Sequence, residues 1–266
     1  MDEDRRGILY PRRLPEFHRL APDPEVEHAV RWFWIPEWDL APGQESRQEL
    51  LPFPACNLVV EPQGVTAVGP TTRRSDRVLT GRGWAVGALL RPAAVPALVP
   101  SPAAIRDSAR PVADDALLAR VRDAMQDPNA SGGRRRERAV ALLSRWVAER
   151  VPRPDASGSS DGELANRLAD ALADPSVIRV DQLPDRVHAS TRTLQRTADR
   201  FFGLSLHSMI RRRRLQEGAQ RLREGDAPTI AALAGELGYS DHAHFTTDFK
   251  AVLGVTPSEY RRRAAG

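Results

Sequence analysis

The sequence predicts an α+β fold in two domains: a β-rich N-terminal part that runs on into helices, and an all-α C-terminal part. Three observations predict it. Short apolar runs punctuated by Gly and Pro fill residues 26–92, and a Pro/Gly/Ser-rich stretch interrupts the chain at 152–160. Beyond that stretch, one helix–turn–helix phrase is written twice between Val180 and Arg261. At 266 residues, with 41% hydrophobic and 28% charged residues, the chain has the length and composition for two domains with proper cores.

The strand expectation rests on Arg31–Ile35, Glu49–Leu51, Asn57–Val60, Val65–Val68 and Trp84–Leu90, each short and bounded by turn signals. Strands this short at such close intervals suggest a small barrel or sandwich. After Arg91-Pro92 the spacing becomes helical, with helices expected over Ala93–Val99, Asp114–Met125 and Arg135–Val151. Residues 1–151 are therefore expected to form one domain (barrel about 10–92, helices about 93–151), 152–160 a linker, and 161–266 the second domain. The second domain opens with a helix over Asp161–Ala173, whose Leu164, Leu168 and Leu172 repeat every four residues.

In the first helix–turn–helix unit, Leu183 and Val187 face inward, and His188 takes the turn position that needs a positive φ. Ser190 is placed to cap the next helix by accepting its free N–H groups. Leu194, Ala198 and Phe201 form the buried stripe of that helix, which turns Arg192, Gln195, Arg196 and Asp199 outward. A face of Arg and Gln carries the donors that read guanine and adenine edges. In the second unit, Ile230, Leu233, Ala234 and Leu237 face inward and Gly238 supplies the left-handed turn. Ser240 or Asp241 caps the following helix, Phe245 and Phe249 anchor it, and His242, Ala243, His244, Thr246 and Thr247 are left as its groove face. Ser208–Arg223 is the helix joining the units. Its Arg211-Arg212-Arg213-Arg214 run is open to two readings, a phosphate clamp or solvent-facing charge.

Ser190-x-Arg192-x-Leu194-x-Arg196, Gly203, Arg214-Leu215, Ile230-Ala231-x-Leu233-Ala234-x-x-x-Gly238-Tyr239 and Phe245-x-x-x-Phe249-Lys250-x-x-x-Gly254-x-Thr256-Pro257-x-x-Tyr260-Arg261 together resemble the AraC/XylS family of bacterial transcription regulators, over about residues 162–262. The resemblance implies about seven helices holding two helix–turn–helix units roughly one DNA turn apart. It implies sequence-specific binding of double-stranded DNA at promoters, with RNA polymerase a further partner if the protein is an activator. It places Ser190, Arg192, Gln195 and Arg196 of the first unit, and His242, Ala243, His244, Thr246, Thr247 and Lys250 of the second, at DNA. Three positions depart from the family pattern. Pro184 stands where Ala is usual and implies a late helix start with Asp181 near its cap. Gly218 replaces an Ala at a cost of about 1 kcal/mol. Thr247 stands where an Arg commonly reaches DNA, which moves base reading toward the first unit.

Trp32-Phe33-Trp34, Asn57–Val60 and Gly87–Pro92 resemble the sensor domains that precede this module in many family members. That likeness implies a cupin-like barrel that binds a small-molecule effector, forms a homodimer, or both, with Trp32, Trp34, Trp84 and Arg91 as candidate ligand residues.

Charge supports the placement of the DNA-binding part. The chain carries a net +4, whereas residues 186–266 hold 14 Lys+Arg against 8 Asp+Glu, a surplus of six. Lys250 is the only lysine, so an isolated Arg says little about bidentate recognition. The lone Cys56 excludes a disulfide within the chain and a cysteine-rich zinc site. His242 and His244, two apart on a helix, do not share a face to hold a metal. No cofactor is expected. Neither a signal peptide nor a membrane-length apolar run is present, which leads to the expectation of a cytoplasmic protein. Two competing functions differ in class. One is a barrel that binds small molecules or partners and carries a weak or silent DNA-binding module. The other is an alkyl-transfer repair enzyme, for which a single cysteine cannot serve both as nucleophile and in a zinc cluster.

Overall fold

Strand β2 (Val30–Asp39) organises the N-terminal half, because its alternation sends two kinds of side chain to opposite faces. Phe33 and Ile35 point to a dry core and are fully buried, while Trp32, Trp34, Pro36 and Trp38 line a cavity on the other side. The computed structural model describes residues 16–50, 53–153, 160–226 and 229–265. Among these, β1 (Glu16–Leu20), β2, β4 (Asn57–Glu61), β5 (Gly64–Val68), β7 (Arg82–Trp84), β8 (Val86–Leu90) and β9 (Ala109–Val112) form one antiparallel sheet. Its order is β1-β2-β8-β4-β5-β9, with β7 joining β2. A two-stranded ribbon, β3 (Glu45–Leu50) with β6 (Ser75–Thr80), supplies residues to the opposite side of the cavity.

The expected strands at 31–35, 57–60 and 65–68 lie inside β2, β4 and β5. The expected Trp84–Leu90 run divides at Ala85 into β7 and β8; Glu49 and Leu50 of the expected second strand lie in β3, and its Leu51 lies outside the described residues. Strands β1, β6 and β9 were not anticipated. Their sequences, EFHRL, SDRVLT and ARPV, lack a clean apolar alternation, and β9 is an edge strand that tolerates Pro111.

On the sheet's dry face pack α2 (Asp115–Gln126) and α3 (Gly132–Arg150), through Leu117, Val121, Leu143 and Val147. Helix α3 begins earlier than the apolar spacing predicts because Ser131 caps it, accepting from Arg134 N. The expected Ala93–Val99 helix is a 3₁₀ turn at Pro92–Ala94 followed by one short turn, α1 (Val95–Leu98). Residues 154–159 of the expected linker lie outside the described residues.

The C-terminal part contains seven α-helices among the described residues: α4 (Asp161–Ala173), α5 (Leu183–Val187), α6 (Thr191–Phe202), α7 (Leu206–Glu224), α8 (Ile230–Glu236), α9 (His242–Leu253) and α10 (Pro257–Ala265). They build two apolar clusters. One joins α4, α5, α6 and the start of α7 around Leu168, Leu183, Leu194 and Met209. The other joins the end of α7 with α8, α9 and α10 around Leu215, Leu233, Phe245, Phe249 and Tyr260. Helix α7 is thus a spine shared by both units. Gly218 on that spine lets it lie against the second unit: a Cβ there would stand 3.0 Å from Leu237 and 3.1 Å from Phe245.

Pro184 sits in the first turn of α5, where its missing N–H costs nothing, as a late helix start requires. Asp181 stands next to the N-cap residue Gln182, and no side chain caps α5 itself. Asp181 lies inside the 3₁₀ turn Val180–Gln182 and pairs with Arg179, while Gln182 Oε1 accepts from both Ile178 N and Arg179 N at 2.8 Å.

Candidate nucleic-acid interface and cavity

The two units make their turns by the same backbone device. His188 adopts φ +54° and Gly238 φ +77°, both left-handed, between α5 and α6 and between α8 and α9 respectively. Each second helix then starts from a side-chain cap: Ser190 Oγ accepts from Thr193 N at 3.2 Å, and Asp241 Oδ1 from His244 N at 2.8 Å. The Asp241 carboxyl is held below its usual pKa chiefly by the His244 backbone N–H, with Ser240 adding to the effect.

The outward faces are open. In α6, Arg192, Gln195 and Arg196 are exposed, as is Ser190 before it, while Leu194, Ala198 and Phe201 are buried. In α9, His242, Ala243, His244 and Thr247 are exposed, Thr246 is half-buried, and Phe245 and Phe249 are fully buried. Several of these side chains already have local partners. Thr247 Oγ1 donates to Ala243 O at 2.9 Å, and His244 packs edge-on to Tyr239 with ring centroids 5.3 Å apart. Lys250 is exposed in the last turn of α9, away from the helix start where His242 and Ala243 lie.

Each arginine of the four-arginine run has a partner within the chain. Arg211 forms two bonds to Asp248 of α9 at 2.7 and 2.8 Å, and buried Arg212 bonds Ser208. Arg213 bonds Glu217 and Val177 O at 2.8 Å each, and Arg214 bonds Leu237 O and lies 3.9 Å from the Tyr239 ring. These arginines fasten the spine to both units.

The N-terminal half touches the far ends of both exposed helices. Arg106 donates from Nε and Nη2 to Gly203 O at 3.1 and 2.6 Å, at the end of α6. Gly203 is required there: its φ is +63°, and a Cβ would stand 2.4 Å from Ala103 N. Arg74 N donates to Val252 O at 3.0 Å, at the end of α9. The two loops that make these contacts are joined through Asp107, whose carboxylate accepts from Thr72 N and Oγ1. Burial pushes the Asp107 pKa up, but the Thr72 bonds, with Arg73 and Arg212 nearby, outweigh it and hold the carboxyl below its usual range. None of these contacts is signalled by periodicity or motif.

The cavity between sheet and ribbon has a volume of about 280 Å³. Trp32 and Trp34 line it as expected positions for ligand residues, and Trp38, Phe53, Arg19 and Arg77 join them. Trp38 was within reach of sequence reasoning, since it shares the strand face of Trp32 and Trp34. Trp84 lies elsewhere, 7% exposed in the core packed by α2 and α3, because it pairs with Glu37 of β2, on the strand face of Phe33 and Ile35. Arg91 also lies outside this cavity. It lines a second one of about 410 Å³ between the N-terminal half and helices α4 and α7, and approaches Asp170 of α4 at 3.9 Å. The two cavities share a wall at Trp32 and Phe53, whose rings meet edge-on at 6.3 Å.

Cys56 is buried, and burial pushes its thiol up to about 12, so it holds no thiolate at neutral pH. Among the described residues, no cluster of His, Cys, Asp or Glu could hold a metal, and no helix is long and apolar enough to cross a membrane.

Comparison with known proteins bears on both halves. The family described as "Helix-turn-helix domain" matches residues 183–263, and a domain of unknown function (DUF6597) matches residues 18–109. The chain is 36% identical over 84 residues to the "Probable transcription factor PqrA" of Proteus vulgaris, a match covering 32% of this chain and 68% of that protein. It is 32% identical over 127 residues to a protein of Streptomyces antibioticus described as an AraC-like transcription regulator, covering 47% of this chain. The chain spans 39% of the length of that relative and 38% of its Streptomyces lividans counterpart. Among solved structures, ToxT from Vibrio cholerae is similar at 11% identity and a TM-score of 0.43, covering 86% of this chain and 97% of that one.

Proposed function

Because this chain belongs to the AraC/XylS family of transcription regulators, we propose that it binds promoter DNA through α6 and α9 and that its N-terminal half governs how those helices are held. One observation carries the reading: in both units the polar face of the second helix is exposed while its apolar stripe disappears into a core fixed to α7. Arg192, Gln195 and Arg196 are the base readers, with Ser190 at the phosphates beside the helix N-terminus. His242, Ala243, His244, Thr246 and Thr247 seat the second helix, with Lys250 adding charge.

On this reading residues 161–266 are the DNA-binding domain, and residues 1–151 sense an effector, assemble a homodimer, or both. The β5–β6 loop explains how sensing reaches the readers. Its flanks, Thr71 and Ser75, line the cavity, while Arg74 between them holds the end of α9. An occupant that shifts the loop therefore shifts a contact to the second reader. Recruitment of RNA polymerase and a cytoplasmic location belong to the same proposal. Family members are generally not enzymes, and the protonated Cys56 offers no nucleophile for alkyl transfer.

The test is an electrophoretic shift on bacterial promoter fragments across a salt series. Log K is expected to fall linearly with log salt, by a slope of about −0.9 for each phosphate neutralised. A salt-independent shift, or none at any salt, overturns the proposal.

A further inference from the structure

We propose that the 280 Å³ cavity takes a flat, largely apolar ring compound without positive charge, held against an indole floor. The inference rests on the reading of this cavity as the effector site and names the chemical class of its ligand. Its first ground is the way two tryptophans are laid down. Trp34 is the cross-strand partner of Gly87, and a Cβ on that glycine would stand 2.0 Å from the indole. The ring can therefore lie directly against the backbone of β8. Trp38 uses Gly83 of β7 in the same way, with the would-be Cβ 2.3 Å from its ring. Both indole N–H groups are engaged within the protein, Trp34 with Asn57 Oδ1 at 3.0 Å and Trp38 with Thr80 O at 3.2 Å. What the two side chains leave for an occupant is ring face, with Pro36 between them and Leu50 and Leu79 of the ribbon completing an apolar slot.

Other ligand classes fit less well. A polyhydroxylated ligand needs partners for its hydroxyls, and each one left unpaired in an apolar site is costly. Three of the lining polar groups are already engaged within the protein: Asn57 holds Trp34, Gln48 bonds Ser46 at 2.7 Å, and Thr71 accepts from Phe53 N at 2.7 Å. An organic cation would find aromatic faces to its liking. The charged lining opposes it, however, since Arg19 and Arg77 stand against the single Glu61, which Arg77 already pairs. Arg19 itself lies 4.4 Å from the Trp32 ring centroid, so a guanidinium occupies that face. A flexible chain fills volume but forgoes the offset stacking that indole faces give to a planar ring. The volume, about 280 Å³, falls just below the range of about 300 to 1,000 Å³ usual for ligand pockets, and so suits a small fused-ring compound.

The test is calorimetric titration of the full chain with four probes: coumarin (flat and neutral), 1-methylquinolinium (flat and cationic), decanoate (flexible and anionic) and D-xylose (polyhydroxylated). Coumarin is expected to bind one to one and at least tenfold more tightly than each of the others. Trp34→Leu is expected to weaken it at least tenfold, and Trp38→Leu, at the second floor position, provides the same reading if Trp34→Leu fails to fold. No coumarin binding, equal or tighter binding of any other probe, or coumarin affinity unchanged in the folded variants would overturn the assignment. Promoter-fragment binding measured on the same preparations separates the two levels. DNA binding that persists without coumarin binding removes the ligand class alone, whereas loss of DNA binding by the unaltered chain removes the regulator reading.

Discussion

The first helix–turn–helix unit turns on His188 and presents Arg192, Gln195 and Arg196, whereas the second turns on Gly238 and presents His242, Ala243, His244 and Thr247. The backbones are alike; the surfaces are not. Long donors on α6 can cross a groove to base edges, while the short side chains of α9 keep that helix close to the backbone of whatever it meets. The arginines nearest the second unit do not make up the difference, because Arg211 and Arg214 are committed to Asp248 and to Leu237 O. Attachment to the N-terminal half is also unequal, with two side-chain bonds from Arg106 at the end of α6 and one backbone bond from Arg74 at the end of α9. The difference teaches that tandem units can share a fold and carry unlike surfaces, which on the proposed function divides the labour into one that reads and one that seats.

The largest expected effect tests that division. Arg196→Ala should weaken specific DNA binding by about 1–3 kcal/mol, and Thr247→Ala by less than about 0.5 kcal/mol. Equal losses in a quantitative electrophoretic shift would abolish the distinction. Next comes the turn chemistry. Gly238→Ala should cost about 1–2 kcal/mol in urea unfolding, since a Cβ is disfavoured at φ +77° and would meet Ile178 at 3.0 Å. His188→Gly should stabilise the first unit by up to about 1 kcal/mol, because glycine relieves the same penalty.

Arg106→Ala should loosen the end of α6 by about 1 kcal/mol, seen as faster amide exchange at Gly203 and Leu204 with little change at Gly254. The smallest effect is acid sensitivity of the caps. The Asp241 carboxyl is depressed in the folded chain, so its stabilisation is complete above the unfolded value of about 3.9 and is lost as pH falls through the lower folded value. Ser190 does not titrate. Protection of the His244 amide against exchange, relative to its intrinsic rate, should therefore fall below about pH 4 while that of Thr193 holds steady, and matched behaviour at both would contradict the capping account.

Much of the C-terminal half was legible because its determinants are local. Leu183 with Val187 and Leu233 with Leu237 repeat at helical spacing, and His188 and Gly238 mark turns by their backbone needs alone. The cavity was legible only in part. Alternation along β2 puts Trp32, Trp34 and Trp38 on one face, but the face of Trp84 depends on how β7 pairs with β2, which no local pattern states. Arg91 turned out to meet α4, and Arg106 and Arg74 meet residues about 97 and 178 positions away in sequence. Such contacts are set by how two halves pack, and a single arginine among many gives no hint of them.

The most direct test of two readers on one spine is a footprint of the full chain on its best promoter fragment. The account predicts two protected major-groove segments about 10 base pairs apart, with Arg196→Ala erasing protection at one of them and Thr247→Ala leaving both. A single protected segment, or two that respond alike to both substitutions, would contradict it.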